Sequence, residues 1–150
     1  MPLEFKPRVV GRSEQGPPTP PDGVILIVED NRTNALILRT MLQKSGYQAV
    51  VATDGAEGVE MAERLRPRLV LLDLHMPRLD GFAAAAEIRR RSAGHAPAIV
   101  AVTANVSPEV HAACLACGFA AVLPKPVFLD ALVAILRSFA PSSRGAAAAG

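Results

Sequence analysis

The chain has 150 residues, enough for one domain with a sizeable core, and a formal charge of +2. That charge is too small to argue for nucleic acid, which needs a clustered basic face. No apolar stretch reaches a membrane-spanning length, and the opening MPLEFKPRVV is not a signal peptide. Aromatic residues are scarce and Trp is absent, so the core has to be built from Ala, Val, Leu and Ile. Two cysteines without a secretory signal fit a reducing cytosol, and a cytoplasmic location is expected.

Residues 1–22 carry GPPTPP; proline fixes φ and removes donors, so an extended or flexible arm is expected. VILIV, Val24 to Val28, reads as a buried strand that ends in Glu29 and Asp30. A helix from about Asn31 to Ser45 follows. Ala35, Leu38, Met41 and Leu42 form its apolar stripe, and Gly46 ends it. Ala49 to Thr53 predict a second strand. Asp54 with Glu57 resembles a capping box opening a second helix, which Pro67 stops. LVLL, Leu69 to Leu72, is a third strand ending in Asp73. Asp80 can cap a third helix that runs to about Arg91, with Phe82, Ala85 and Ile88 inward. Its closing run, Arg89 to Arg91, complements the helix dipole and gives no reason to invoke a nucleic acid. AIVAV, Ala98 to Val102, ends in Thr103. Ser107 and Pro108 sit at the cap and first position of a fourth helix, which Gly118 closes. AAVLP, Ala120 to Pro124, ends in Lys125. The last helix is expected to gather Phe128, Leu132, Ile135, Leu136 and Phe139 on one inner face. Residues 141–150, PSSRGAAAAG, read as a frayed tail.

Short β-rich runs alternating with helices predict a parallel five-stranded sheet covered on both faces, a three-layer α/β/α domain over residues 23–140. The carboxyl ends of the strands then share one edge, where open α/β sheets place their sites. Glu29, Asp30, Asp73, Thr103 and Lys125 converge there from distant parts of the chain. Two like charges about 4 Å apart repel by roughly 4 kcal/mol at an effective dielectric near 20, so three bare carboxylates call for compensation. A hard cation supplies it. Octahedral Mg²⁺ uses one or two carboxylates and keeps waters to exchange for phosphate oxygens. The plain alternative is a solvated acidic turn. Asp73 is the candidate nucleophile, since carboxylates can form aspartyl phosphates and Asp80 already supplies the nearby helix cap. Thr103 can hydrogen-bond a phosphoryl oxygen, and Lys125, held between Pro124 and Pro126, can pair with Asp73 or with the phosphoryl group.

VILIVEDNRTN (24–34), LVLLDLHMPRLDGF (69–82), AIVAVTAN (98–105) and GFAAVLPKP (118–126) together resemble the receiver domain of two-component response regulators, in family order and spacing over about residues 23–140. The VEDN, TAN and KP segments look most like receivers associated with hybrid histidine kinases. The resemblance implies a flavodoxin-like (βα)5 fold of strand order 2-1-3-4-5. It implies Mg²⁺, or Mn²⁺ in its place, held by Asp30, Asp73 and the main-chain carbonyl of His75, with Glu29 helping largely through water. It implies phosphoryl transfer from a histidine kinase or histidine phosphotransfer protein to Asp73, catalysed by the receiver itself rather than by turnover of an external substrate. Thr103 and the amide of Ala104 would hold the phosphoryl group, Lys125 would pair with it, and the Lys125–Pro126 peptide would be cis.

Three departures bear on output. Val122 stands where receivers often carry Tyr or Phe, which puts aromatic-switch coupling to the face of the fourth helix, fifth strand and fifth helix in doubt. His75 and Asn105 occupy positions that tune dephosphorylation in the family. No output domain is expected after the last helix, and signalling through a downstream protein partner is expected, with neither nucleic acid nor membrane involved. Asn34 and Leu38 on the first helix are candidate contacts for a histidine-bearing partner.

Two other readings compete. A haloacid-dehalogenase-like phosphatase uses a similar residue set, but it wants a second Asp where His75 stands. A pseudo-receiver that never takes phosphate would be favoured by loss of Asp30, Asp73 or Lys125, and all three are present. Cys114 and Cys117, with His111 at the same spacing, make a lone CxxC near a helix end; inward packing is expected rather than zinc or a redox pair. No GxxxxGK is present for a nucleotide-cradling loop.

Overall fold

The alternation of short apolar runs and amphipathic segments resolves into five strands and five helices in a computed structural model, which describes residues 23–141 except 93. The N-terminal arm, and all but the first residue of the tail, lie outside the described residues. In chain order the elements are β1 (Val24–Val28), α1 (Arg32–Lys44), β2 (Gln48–Ala52), α2 (Gly55–Leu65), β3 (Leu69–Asp73), α3 (Gly81–Ser92), β4 (Ala98–Thr103), α4 (Pro108–Ala116), β5 (Ala121–Pro124) and α5 (Leu129–Phe139). The strands are all parallel, in the order β2-β1-β3-β4-β5. β2 begins and ends one residue before the expected strand, and Asp73 and Thr103 are the last residues of their strands rather than the first beyond them.

Helix starts follow the expected chemistry. Asn31, Asp54, Asp80 and Ser107 each accept a hydrogen bond from a main-chain amide three residues on, at 2.9, 2.8, 2.9 and 3.2 Å. Glu57 reaches back to the amide of Thr53 at 2.6 Å, so the capping box closes one residue earlier than its usual form. Gly46 and Gly118 follow α1 and α4 with φ of 91° and 93°, the left-handed turn that glycine adopts without strain.

Alternation along the strands divides the core between the two faces. Leu26, Val28, Val70, Leu72, Ile99 and Ala101 pack with residues of α2, α3 and α4. Ile25, Ile27, Leu69, Leu71, Val100 and Val102 pack with Leu38 and Leu42 of α1 and Leu132 and Leu136 of α5. Each fully buried Leu or Ile contributes about 1.5–3 kcal/mol. At the amino edge of the sheet the Tyr47 hydroxyl donates to the carbonyl of Ala140, tying the entry to β2 to the end of α5.

Phe128 departs from the expected inner face. It is the N-cap of α5 in extended conformation and is 64% exposed. Its four-residue spacing from Leu132 continues the helical period, but the helix begins one residue later, so Phe128 turns outward. Cys114 is buried as expected, whereas Cys117 caps α4 and is exposed. Burial raises the pKa of Cys114, and Cys117 adds to the rise. Leu38 belongs to the core, so the apolar residues that α1 offers to solvent are Leu36 and Ile37.

Candidate functional site

Strand order reverses about β1, and the site lies where β1 and β3 end side by side, the switch point of the sheet. β1 delivers Glu29 and Asp30 just past its end, and β3 delivers Asp73 as its last residue. Their carboxylate oxygens include a set, one from each residue, lying within 4.8 Å of one another; among the described residues no other His, Cys, Asp or Glu cluster meets that criterion. His111, Cys114 and Cys117 therefore do not converge as ligands. Glu29 and Asp73 are buried at 2% and 3% exposure, and Asp30 faces solvent.

Among the described residues one cation answers these acids. Lys125, delivered by the end of β5, places Nζ 3.0 Å from Glu29 Oε1 and 3.4 Å from Asp73 Oδ2. Its main-chain amide donates to the carbonyl of Thr103 at 2.9 Å, and the Lys125–Pro126 peptide is cis. The other oxygen of each paired acid is met by backbone: the amide of Asn31 donates to Glu29 Oε2 at 3.2 Å, and the amide of His75 donates to Asp73 Oδ1 at 3.0 Å. Thr103 is fully buried at the end of β4, and its hydroxyl accepts from the amide of Asn105 at 3.0 Å. Ala104 follows it in the exposed loop.

The electrostatics are unbalanced. Burial pushes Glu29 up to about 7, against the lowering influence of Lys125 and the Asn31 amide, and Asp73 adds to the rise. Burial opposes the charge on Lys125, but Glu29 and Asp73 outweigh it and raise its pKa. The buried Glu29 Oε1 has the Lys125 ammonium as its partner, at 3.0 Å. Three carboxylates against one ammonium among the described residues, and an open side at Asp30, fit a hard divalent cation.

All the acidic, hydroxyl and ammonium residues expected from the sequence thus lie at the carboxyl edge of the sheet. Sequence reasoning did not find the packing around them. Gly81 sits against Asp73 so closely that a Cβ there would lie 2.6 Å from the Asp73 carbonyl oxygen. Gly55 abuts Leu79, and Arg78 Nη2 lies 3.9 Å from Asp54 Oδ2. The available signal was a repeated pair: Asp-Gly opens both α2 and α3. Val122 is half-buried and packs toward the α2–α4 side, leaving no ring to report on Thr103.

A parallel sheet of this order, with acids at the reversal and a lysine at the fifth strand's end, is the architecture of a phosphoacceptor signalling module. Residues 25–137 match the model of the response regulator receiver domain, and the chain belongs to that family. It is 36% identical over 123 residues to the sensor histidine kinase RcsC of Salmonella typhi, covering 82% of this chain but 13% of that kinase. The chain likewise spans about half the length of matching curated response regulators. Among solved structures it resembles the receiver domain of the sensor histidine kinase PA1611 from Pseudomonas aeruginosa, with a magnesium ion in its active-site cleft. The identity is 37% and the TM-score 0.72, covering 79% of this chain and 98% of that one. It also resembles a co-crystal structure of the Saccharomyces cerevisiae histidine phosphotransfer protein Ypd1 with the receiver domain of Ssk1. Here the identity is 31% and the TM-score 0.73, covering 78% and 88%. The family match removes the dehalogenase-like alternative.

Proposed function

We propose that this receiver accepts a phosphoryl group on Asp73 from a phosphohistidine, in a Mg²⁺-dependent reaction, as one station of a cytoplasmic two-component phosphorelay. The observation that carries this reading is the cluster of Glu29, Asp30 and Asp73 with the Lys125 ammonium beside Glu29 and Asp73. Asp30, Asp73 and the main-chain carbonyl of His75 would hold Mg²⁺, with Glu29 acting through water; Mn²⁺ suits the same oxygen donors. When bound, the ion neutralises carboxylate charge and charge on the phosphoryl oxygens.

A carboxylate oxygen of Asp73 forms the bond to phosphorus as the phosphorus–nitrogen bond of the donor breaks, its electron pair staying on the imidazole nitrogen. The His75 amide holds the Asp73 carboxylate in place during attack. Lys125 shifts its pairing toward the new phosphoryl oxygens, and the Thr103 hydroxyl with the Ala104 amide accommodates the others. The work is positioning and charge stabilisation, which is most of what phosphoryl transfer asks of a protein.

The donor is a histidine kinase or a histidine phosphotransfer protein. The PA1611 receiver, which belongs to a sensor kinase, and the Ypd1–Ssk1 pair support that class of partner. Leu36, 63% exposed, and Ile37 lie on α1, which starts just after Asp30. Leu36, Arg32 and Arg39 line a shallow hollow that reaches Glu29. Such an apolar patch dominates affinity where charge alone would give weak docking. Output passes to a downstream protein through the surface of α4, β5 and α5, by way of the loop from Thr103 to Pro108. Among the described residues no helix is long and apolar enough to cross a membrane.

Incubation with acetyl phosphate and Mg²⁺ is expected to add one acid-labile phosphoryl group. Asp73→Asn should remove it; full labelling of that variant would end the assignment, and no labelling of the wild type would favour a pseudo-receiver. Leu36→Ser with Ile37→Ser should slow transfer from the cognate phosphohistidine protein and leave acetyl phosphate labelling unchanged. A parallel loss of both reactions would point to damage of the site or the fold instead of docking.

A further inference from the structure

The loop between β3 and α3, residues 74–80, carries His75 and closes on itself at its base, where the Gly81 amide donates to the Leu74 carbonyl at 3.2 Å. Its crown rests on the first turn of α2. A Cβ placed on Gly55 would lie 2.5 Å from the carbonyl oxygen of Leu79 and 3.1 Å from its Cβ. One residue away on each side, Asp54 and Arg78 form their ion pair. Gly55 lies in a helical turn, without the positive φ that would call for glycine. What its missing side chain supplies is room for a main-chain carbonyl. Arg78, in contrast, does sit at a φ of 70°, which a long side chain seldom adopts.

Which partner would yield to an added methyl is decided by how each is held. α2 is fastened to the sheet by Val59 and Ala62, both buried, and by Gly58, where a Cβ would meet Val28 Cγ2 at 2.8 Å. The crown of the loop is held less firmly, with Pro77 and Arg78 exposed and Leu79 half-buried. The loop would therefore move, and with it the main chain on the carboxyl side of Asp73.

We propose that Gly55 is a positioning residue for the phosphoacceptor site: it seats Leu79 so that the loop presents His75 and Asp73 in the arrangement that cation binding and phosphoryl transfer require. This rests on the function proposed above. It differs from a packing role because it predicts a change in metal affinity that does not follow global stability.

The 150-residue chain is compared with Gly55→Ala, Leu79→Ala and Leu136→Ala. Half-saturating Mg²⁺ is read from amide chemical shifts, labelling from acetyl phosphate, and Tm from thermal unfolding. Gly55→Ala should need about ten-fold more Mg²⁺ for half-saturation, the scale seen when support around a metal site is lost. Leu79→Ala, which withdraws the side chain leaning on Gly55, should give a smaller rise in the same direction. Leu136→Ala hollows the opposite face and should lower Tm while keeping wild-type half-saturation. If Gly55→Ala does not fold, Leu79→Ala decides alone. Wild-type half-saturation in the folded site variants overturns the proposal, whatever their Tm. A wild-type chain that neither binds Mg²⁺ nor labels overturns the function proposed above and this positioning role together.

Discussion

The two edges of the sheet treat charge in opposite ways. At the amino edge, the end of α3 carries three arginines, two of which share Glu87. Arg91 reaches Glu63 at 3.1 Å and Glu87 at 2.9 Å, Arg90 also meets Glu87, and Arg89 donates to the Cys117 carbonyl while lying over the Phe119 ring. At the carboxyl edge, three carboxylates cluster around one lysine among the described residues, and it pairs with Glu29 and Asp73. The amino edge is mostly exposed, so its ion pairs add little energy, and Arg89 Nη1 is buried there without a hydrogen bond. The carboxyl edge is buried and short of positive charge, a condition that stabilises a ligand more than it stabilises the fold.

The largest test of that contrast is at Asp30. Asp30→Ala is expected to raise the Mg²⁺ needed for labelling by about a hundred-fold, well beyond the change in Glu29→Ala, since Glu29 is placed to act through water. Equal labelling in chelator and in Mg²⁺ would break the contrast outright.

Next in size is a gain of stability. Asp73→Asn removes a like charge from the crowded edge while keeping its shape. The metal-free variant should be more stable by about 1 kcal/mol, or about 4 °C in Tm, even though it can no longer be labelled. A lowered Tm would mean that Lys125 already balances the edge.

The smallest effects sharpen the comparison through pH. Glu29 rises on folding from 4.5 to about 7, so between those values the folded state holds the extra proton. Its stabilising contribution is present below about pH 4.5 and is lost as pH rises through about 7. In metal-free protein, Glu29→Gln should therefore flatten a decline in Tm across that window. Glu87 goes the other way: its hydrogen bonds from Arg90 and Arg91 hold it down at about 2. Its contribution is present above about pH 4.5 and fades as pH falls through about 2. Glu87→Gln should shift Tm slightly at neutral pH, and the shift should vanish at about 1 M salt, where screening acts within roughly 3 Å. A persistent shift there would assign Glu87 a packing role.

Much of the carboxyl edge was legible before any coordinates, because parallel strands turn distant apolar-run endings into neighbours. Glu29, Asp30, Asp73, Thr103 and Lys125 needed only the direction of their strands. Phe128 was misplaced because helical period alone cannot say where the helix begins. The exposed pair Leu36 and Ile37 was hidden for a related reason: ALIL is apolar on every side of α1, so the sequence does not mark which residues face out. The seating of Leu79 on Gly55 was beyond reach, since it depends on a contact between residues 24 positions apart and on an empty space.

Tyr47 is the chain's one tyrosine, and there is no tryptophan. Its hydroxyl bond to Ala140 stands at the edge away from Asp73. The native ultraviolet emission of this protein therefore reports whether the end of α5 stays docked, and it is nearly blind to events at the acids. Unfolding can be followed without a label, whereas occupancy of the cleft needs an added chromophore or a nuclear-resonance readout.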